Sequence, residues 1–147
     1  MKIISILMFV LVLFSNPASC NDKKDKEKNN TESLPQETLK STYDILYLNE
    51  TDVSKENLYI TFDQNNNRAS GFSGCNTFSS TYTTDDTTIS FKFPIATKMY
   101  CEKKAALEQE FFKVLLAVEV KNMTNDTLVL QDKNGKNLLL ATQRQKN

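Results

Sequence analysis

The feature that most constrains this chain is a switch in hydrophobic period. From Tyr43 to Phe93, and again from Val118 to Ala141, the sequence breaks into short β-type segments; between them, Glu102–Val118 repeats apolar residues at helical spacing. Tyr43–Leu48 is rich in aromatic and aliphatic residues. In Leu58–Phe62, Leu58, Ile60 and Phe62 share one side, as a half-buried strand requires. Asp63–Asn67 is a run of turn-formers, and Arg68–Phe72 returns as the partner of a hairpin. Asn76–Thr83 sets Phe78, Ser80 and Tyr82 against Thr and Ser. Asp85-Asp86 marks a turn, and in Thr87–Phe93 the side chains of Ile89, Phe91 and Phe93 are expected on one face.

In the helical segment Leu107, Phe111, Leu115 and Val118 form the stripe, widened by Phe112 and Leu116. Glu102, Lys103, Lys104, Glu108, Glu110 and Lys113 are assigned mainly to the opposite, solvated face. Three strands follow, Val118–Met123, Thr127–Gln131 and Asn137–Ala141. The last two flank an Asn134-Gly135 pair that suits a two-residue type I′ turn. Leu128 and Leu130 are expected to share a face with Leu138 and Leu140. The sum is an α+β domain over residues 38–147: about eight short antiparallel strands forming a curled sheet or open barrel, with one long helix packed on it.

The N-terminal third is of another kind. Lys2 precedes an apolar run, Ile3–Phe14, and small residues lead to Cys20. The run is about a dozen residues, whereas a membrane-spanning helix needs roughly 20; residues 1–19 therefore read as a signal peptide. Ala18-Ser19-Cys20 resembles the end of a bacterial lipobox, with Pro17 where an aliphatic residue is usual. That implies lipidation of Cys20, the rival being ordinary cleavage near Ala18 or Ser19. Each buried acyl methylene would contribute about 0.8 kcal/mol. Residues 20–37 carry one aliphatic side chain, Leu34, among Lys, Asp, Glu and Asn, too few to offset ordering entropy. They read as a charged tether with a random-coil span of roughly 20–25 Å. Asp22-Lys23-Lys24-Asp25 loosely resembles the surface-export signals of some bacterial lipoproteins.

Three cysteines in an exported chain leave one over. With Cys20 assigned to lipid, Cys75 and Cys101 remain. In an oxidising compartment a bond between them would stabilise the fold by roughly 3–4 kcal/mol on the chain-entropy model; the alternative is a pair of buried thiols. Gly71 and Gly74 are two of only three glycines, so each is expected at a positive φ or a close backbone approach.

Gly71-Phe72-Ser73-Gly74-Cys75-Asn76, then Ala96-Thr97-Lys98-Met99-Tyr100-Cys101, then an amphipathic helix and paired terminal strands, resemble the META domain (HslJ-type). The resemblance spans roughly Thr38–Ala141, and its shared residues here are Gly71, Gly74, Cys75, Asn76, Thr97, Lys98, Met99 and Cys101. Tyr43 stands where that family often has Trp. The resemblance implies a small α+β domain on envelope lipoproteins or secreted proteins, linked in some members with heat shock, novobiocin tolerance or motility. It implies no established enzymatic activity.

The chain has no histidine, which removes the commonest general base and every Ser-His or Cys-His pair. Gly71-Phe72-Ser73-Gly74 begins like a nucleophile elbow, but Cys75 stands where that motif needs Gly. No CxxC spacing suggests a metal, no glycine-rich loop suggests a phosphate, and no cofactor is expected. Lys and Arg balance Asp and Glu at 18 each, which argues against a nucleic-acid partner. The expected protein is a lipid-anchored, non-enzymatic binding or stress-tolerance module of the bacterial envelope. It would sit most naturally on the outer membrane, facing the periplasm or the surface, with an envelope protein or small ligand as partner. The alternatives are a small periplasmic or surface hydrolase acting through carboxylates, Lys98 or Tyr100, and a module that plugs a protease with an exposed loop.

Overall fold

A computed structural model describes Leu39 and residues 42–145; the proposed leader, Cys20 and the tether lie outside the described residues. The strands are β1 (Thr42–Leu48), β2 (Thr51–Asp52), β3 (Tyr59–Asp63), β4 (Arg68–Phe72), β5 (Thr77–Thr84), β6 (Ile89–Phe91) and β7 (Ile95–Ala96). After helix α1 (Ala105–Ala117) come β8 (Val120–Thr124), β9 (Thr127–Gln131) and β10 (Asn137–Gln143). The strands expected from the sequence are all present, and β2 and β7, two residues each, are additional. All pairings are antiparallel, in the order β6-β5-β4-β3-β1-β10-β9-β8. The two ends of this order nearly meet: Ile89 N donates to Glu119 O at 3.1 Å and Lys121 N to Thr87 O at 2.8 Å, around a Thr88–Val120 bridge. The sheet is thus a nearly closed barrel with the helix packed on it.

The core follows the alternation. Leu58, Ile60 and Phe62 are buried, as are Phe78, Ser80 and Tyr82 on β5 and Ile89 and Phe91 on β6. A bulge in β1 between Ile45 and Tyr47 absorbs one residue, so Leu48 returns to the core and Tyr47 turns outward. A matching irregularity near the start of β10 corrects the expected face there. Leu139 and Ala141 stand opposite Leu130 and Leu128, whereas Leu140 opposes Val129 and is only half-buried. On α1 the buried residues are Phe111, Val114 and Leu115, with Leu107 and Phe112 partly buried beside them. Leu116, expected in the stripe, is 43% exposed. Phe78 packs edge-on against Phe111 at 5.1 Å and Phe112 at 5.8 Å, joining helix to barrel.

Turn chemistry rests on Asn and Asp more than on Gly. Asn49, Asn57, Asn67 and Asn125 have φ of 52°, 58°, 49° and 53°; a short amide side chain tolerates that left-handed region better than most. Asp63, Asp85 and Asp132 each accept backbone N–H groups of the turn that follows; the Asn66 amide first of all at Asp63, and the backbone N–H groups at Asp85 and Asp132, hold the carboxyls below the usual carboxylate range. The Asn134-Gly135 loop departs from the expected type I′ form. Only Gly135 has positive φ (81°), and its N–H closes a turn onto Asp132 O at 3.0 Å.

One polar atom in the core is left over. The Tyr82 hydroxyl is buried with no hydrogen-bond partner among the described residues, and burial pushes its pKa up. Removing an orphaned hydroxyl while keeping the ring relieves its desolvation cost. Tyr82→Phe is therefore expected to raise stability by about 1 kcal/mol, read as a higher urea midpoint at unchanged slope; a lower midpoint would show that the hydroxyl has a partner.

Candidate functional site

The residues singled out by sequence converge where the β4–β5 turn meets the start of α1 and the segment leading into it. Strand β4 must come unusually close to β3: a Cβ on Gly71 would lie 1.9 Å from Tyr59 O. Gly74 has φ of +98°, and a Cβ there would lie 3.1 Å from Leu107 Cδ2. The two glycines thus meet the two expectations separately, close approach at Gly71 and positive φ at Gly74. Between them Ser73 is fully buried, and its N–H donates to Asn76 O at 2.9 Å, folding residues 73–76 into a tight turn.

Asn76, 3% exposed, is the hub. Its Oδ1 accepts from Thr97 Oγ1 at 2.7 Å and Met99 N at 2.8 Å. Its Nδ2 donates to Met99 O at 3.2 Å and Glu108 Oε1 at 3.0 Å, and its backbone N–H donates to Glu108 Oε2 at 3.0 Å. Ser73 Oγ also lies against Glu108 Oε2. Every donor and acceptor of the amide is used, which is the condition for burying it without penalty. Glu108 is therefore not the solvated helix residue its charge suggested; one carboxylate ties α1 to the turn. Its place four residues before Phe112 is legible in the sequence, but the buried Ser-Asn turn it meets is seen only in three dimensions.

Beside this hub Cys75 and Cys101 are joined by a disulfide with a Cα–Cα distance of 5.8 Å. The bond and the amide hub staple the same two segments side by side, at adjacent residues. Closing a loop with a sequence separation of 26 residues limits the unfolded chain by roughly 3.5 kcal/mol. Reduction, or the pair Cys75→Ser with Cys101→Ser, is expected to lower stability by about that amount. Non-reducing mass spectrometry should return a linked peptide pair; two alkylatable thiols would remove the staple from the account.

The same segments turn other side chains outward. Lys98 is exposed, Met99 is 60% exposed and Tyr100 85%. Phe93 was expected inside with Ile89 and Phe91, and it is 78% exposed. The reason is a break in the strand: β6 ends at Phe91, and the chain then rejoins β5 as β7, with Pro94 buried between. Ile95, two residues on, is equally exposed at 78%. Among the described residues no three His, Cys, Asp or Glu side chains come together as metal ligands would. Ser73 and Glu108 touch, the serine fully buried and the carboxylate half-buried.

A nearly closed antiparallel barrel, one helix and a Gly-Cys-Asn turn stapled to a Thr-x-Met-x-Cys segment define the class. The META domain family matches residues 18–145, and the chain belongs to that family. Solved structures share the fold. One is an NMR structure of a protein from Burkholderia xenovorans, 19% identical, with a TM-score of 0.57 over 74% of this chain and 85% of that one. Another is the crystal structure of a DUF4847 family protein from Bacteroides vulgatus, 13% identical, with a TM-score of 0.56 over 74% of this chain and 96% of that one. A third, also by NMR, is 21% identical with a TM-score of 0.56 over 75% and 94%. No curated protein matches the chain.

Proposed function

We propose that this META domain is a lipid-anchored, non-enzymatic binding module of the bacterial envelope, held on the outer membrane through Cys20. One observation carries the binding part. Asn76 of the family motif is saturated inside the domain by Thr97, Met99 and Glu108, while Met99 and Tyr100, and Phe93 and Ile95 just before them, present their side chains to solvent. A surface held rigid by a disulfide and a saturated amide is suited to recognition, because little ordering entropy remains to be lost on contact. The absence of histidine from the sequence and the exposure of Lys98 and Tyr100 on open surface support a non-enzymatic role. The address rests on the leader, the lipobox-like Ala18-Ser19-Cys20 and the charged stretch that follows.

Cell fractionation tests the address. Wild-type protein should sediment with membranes and incorporate labelled palmitate, and Cys20→Ser should move it to the soluble fraction. Wild type that takes up no palmitate contradicts the anchor. A pull-down from native envelopes, with Cys20→Ser as the unanchored control, then seeks the partner.

A further inference from the structure

Phe93 and Ile95 project from the outer face of the sheet beside a small cleft of about 110 Å³, lined also by Arg68, Ser79, Ser80 and Thr81. Arg68 is exposed, and its Nε donates to Ser79 Oγ at 2.6 Å, which fixes the root of the guanidinium over the cleft. The chain segment that forms the apolar wall, Lys92-Phe93-Pro94-Ile95-Ala96-Thr97-Lys98-Met99-Tyr100, has two lysines and no acidic residue. Large apolar side chains set among cations on an exposed surface are the composition of an interfacial membrane contact.

We infer that this face, centred on Phe93, Ile95 and Arg68, docks onto a bilayer surface carrying anionic lipid, as a second membrane contact beside the acyl anchor. The inference rests on the anchored reading above. Two observations choose this occupant. The first is charge: Arg68, with Asp63 as its cross-strand neighbour, lines the cleft beside Phe93 and Ile95, and the exposed Lys92 and Lys98 of the adjoining segment add two cations to complement lipid phosphates. The second is reach: with Cys20 acylated, only residues 21–38 separate the anchor from Leu39, and no chain of that length extends beyond roughly 65 Å, so an anchored domain stays near its own membrane. An added peptide strand fits less well, because β7 has only two residues and Pro94 before it offers no N–H.

The chain has no tryptophan, so a single indole reports one place. The full chain carrying Cys20→Ser is made with either Phe93→Trp or Tyr47→Trp, the latter on β1, away from β7 in the strand order. Each is mixed with vesicles containing phosphatidylglycerol and brominated phosphatidylcholine. The indole at position 93 should shift to the blue and be quenched by bromine, and the one at 47 should not. Added Lys98→Gln should weaken the effect about fivefold, as should neutral vesicles or high salt to a larger degree. Equal quenching at both positions, quenching at neither, or quenching indifferent to lipid charge overturns the inference. A blue shift that grows with protein concentration in the absence of vesicles assigns the face to a second copy and also overturns it. Palmitate labelling is independent of this assay, so loss of the anchor and loss of the docking face are told apart.

Discussion

Gly71→Ala is expected to prevent the domain from folding stably, although it adds a single methyl group. The new Cβ would sit 1.9 Å from the Tyr59 carbonyl oxygen and 3.1 Å from Ile60 Cα, both backbone atoms of the adjacent strand. No rotamer change can relieve a clash between two backbones. Strands β3 and β4 would have to part, breaking the ladder that pairs Ile60 with Gly71 at the centre of the sheet. A cost of about 4 kcal/mol or more is expected, against a total of roughly 5–15 kcal/mol for a domain. Gly135→Ala is the control. Gly135 has positive φ, but nothing lies within 4 Å of its Cβ position, so only about 1 kcal/mol of backbone strain is expected. Urea unfolding followed by circular dichroism measures both. A Gly71→Ala protein as stable as Gly135→Ala would mean that the strands do not approach as described.

Asn76→Ala is the second large effect. It removes two acceptor and two donor bonds at once and leaves Met99 N–H, Met99 C=O and Glu108 Oε1 without that partner in a part-buried setting. With buried unsatisfied groups costing about 1–3 kcal/mol each and partly relieved by water, a loss of roughly 3–5 kcal/mol is expected. Asn76→Asp should be no milder. It keeps the acceptor for Thr97 and Met99 but sets a second carboxylate against Glu108. Thermal unfolding with the disulfide intact isolates this effect from the covalent staple. A fall in Tm of only a degree or two in either variant would show that the hub adds little beyond the bond.

Much of this architecture was legible because it is periodic. Alternation located Leu58–Phe62 and Phe78–Tyr82, and the change of period located α1, since those patterns follow directly from backbone geometry. The failures fall where geometry is broken. Alternation from Ile89 puts Phe93 inside, but the strand that carries it stops at Phe91. Leu140 was placed with the core because the register slips near the start of β10. Leu116 yielded its place to Val114 because the helix meets the barrel along a slightly rotated face. At the site, the motif residues were found but their meaning was not. Which atoms Asn76 bonds depends on Glu108, 32 residues away, whose charge marked it for solvent. The left-handed asparagines could have been anticipated, since a chain with three glycines needs another residue for its tight turns.

The family motif, on this account, is a lock that freezes a recognition surface. A loop that gates or binds by rearranging belongs to the low-stability end of a fold, where amides exchange by local opening. Here the Met99 N–H points inward to Asn76 Oδ1 even though its side chain faces water, and the Asn76 N–H is held by Glu108. Native-state hydrogen exchange resolved at these two amides is the most direct test. Both should exchange only through global unfolding, as slowly as the amides of central strand β3. Fast exchange at Met99 and Asn76 while β3 stays protected would contradict the lock and return the motif to the class of mobile sites.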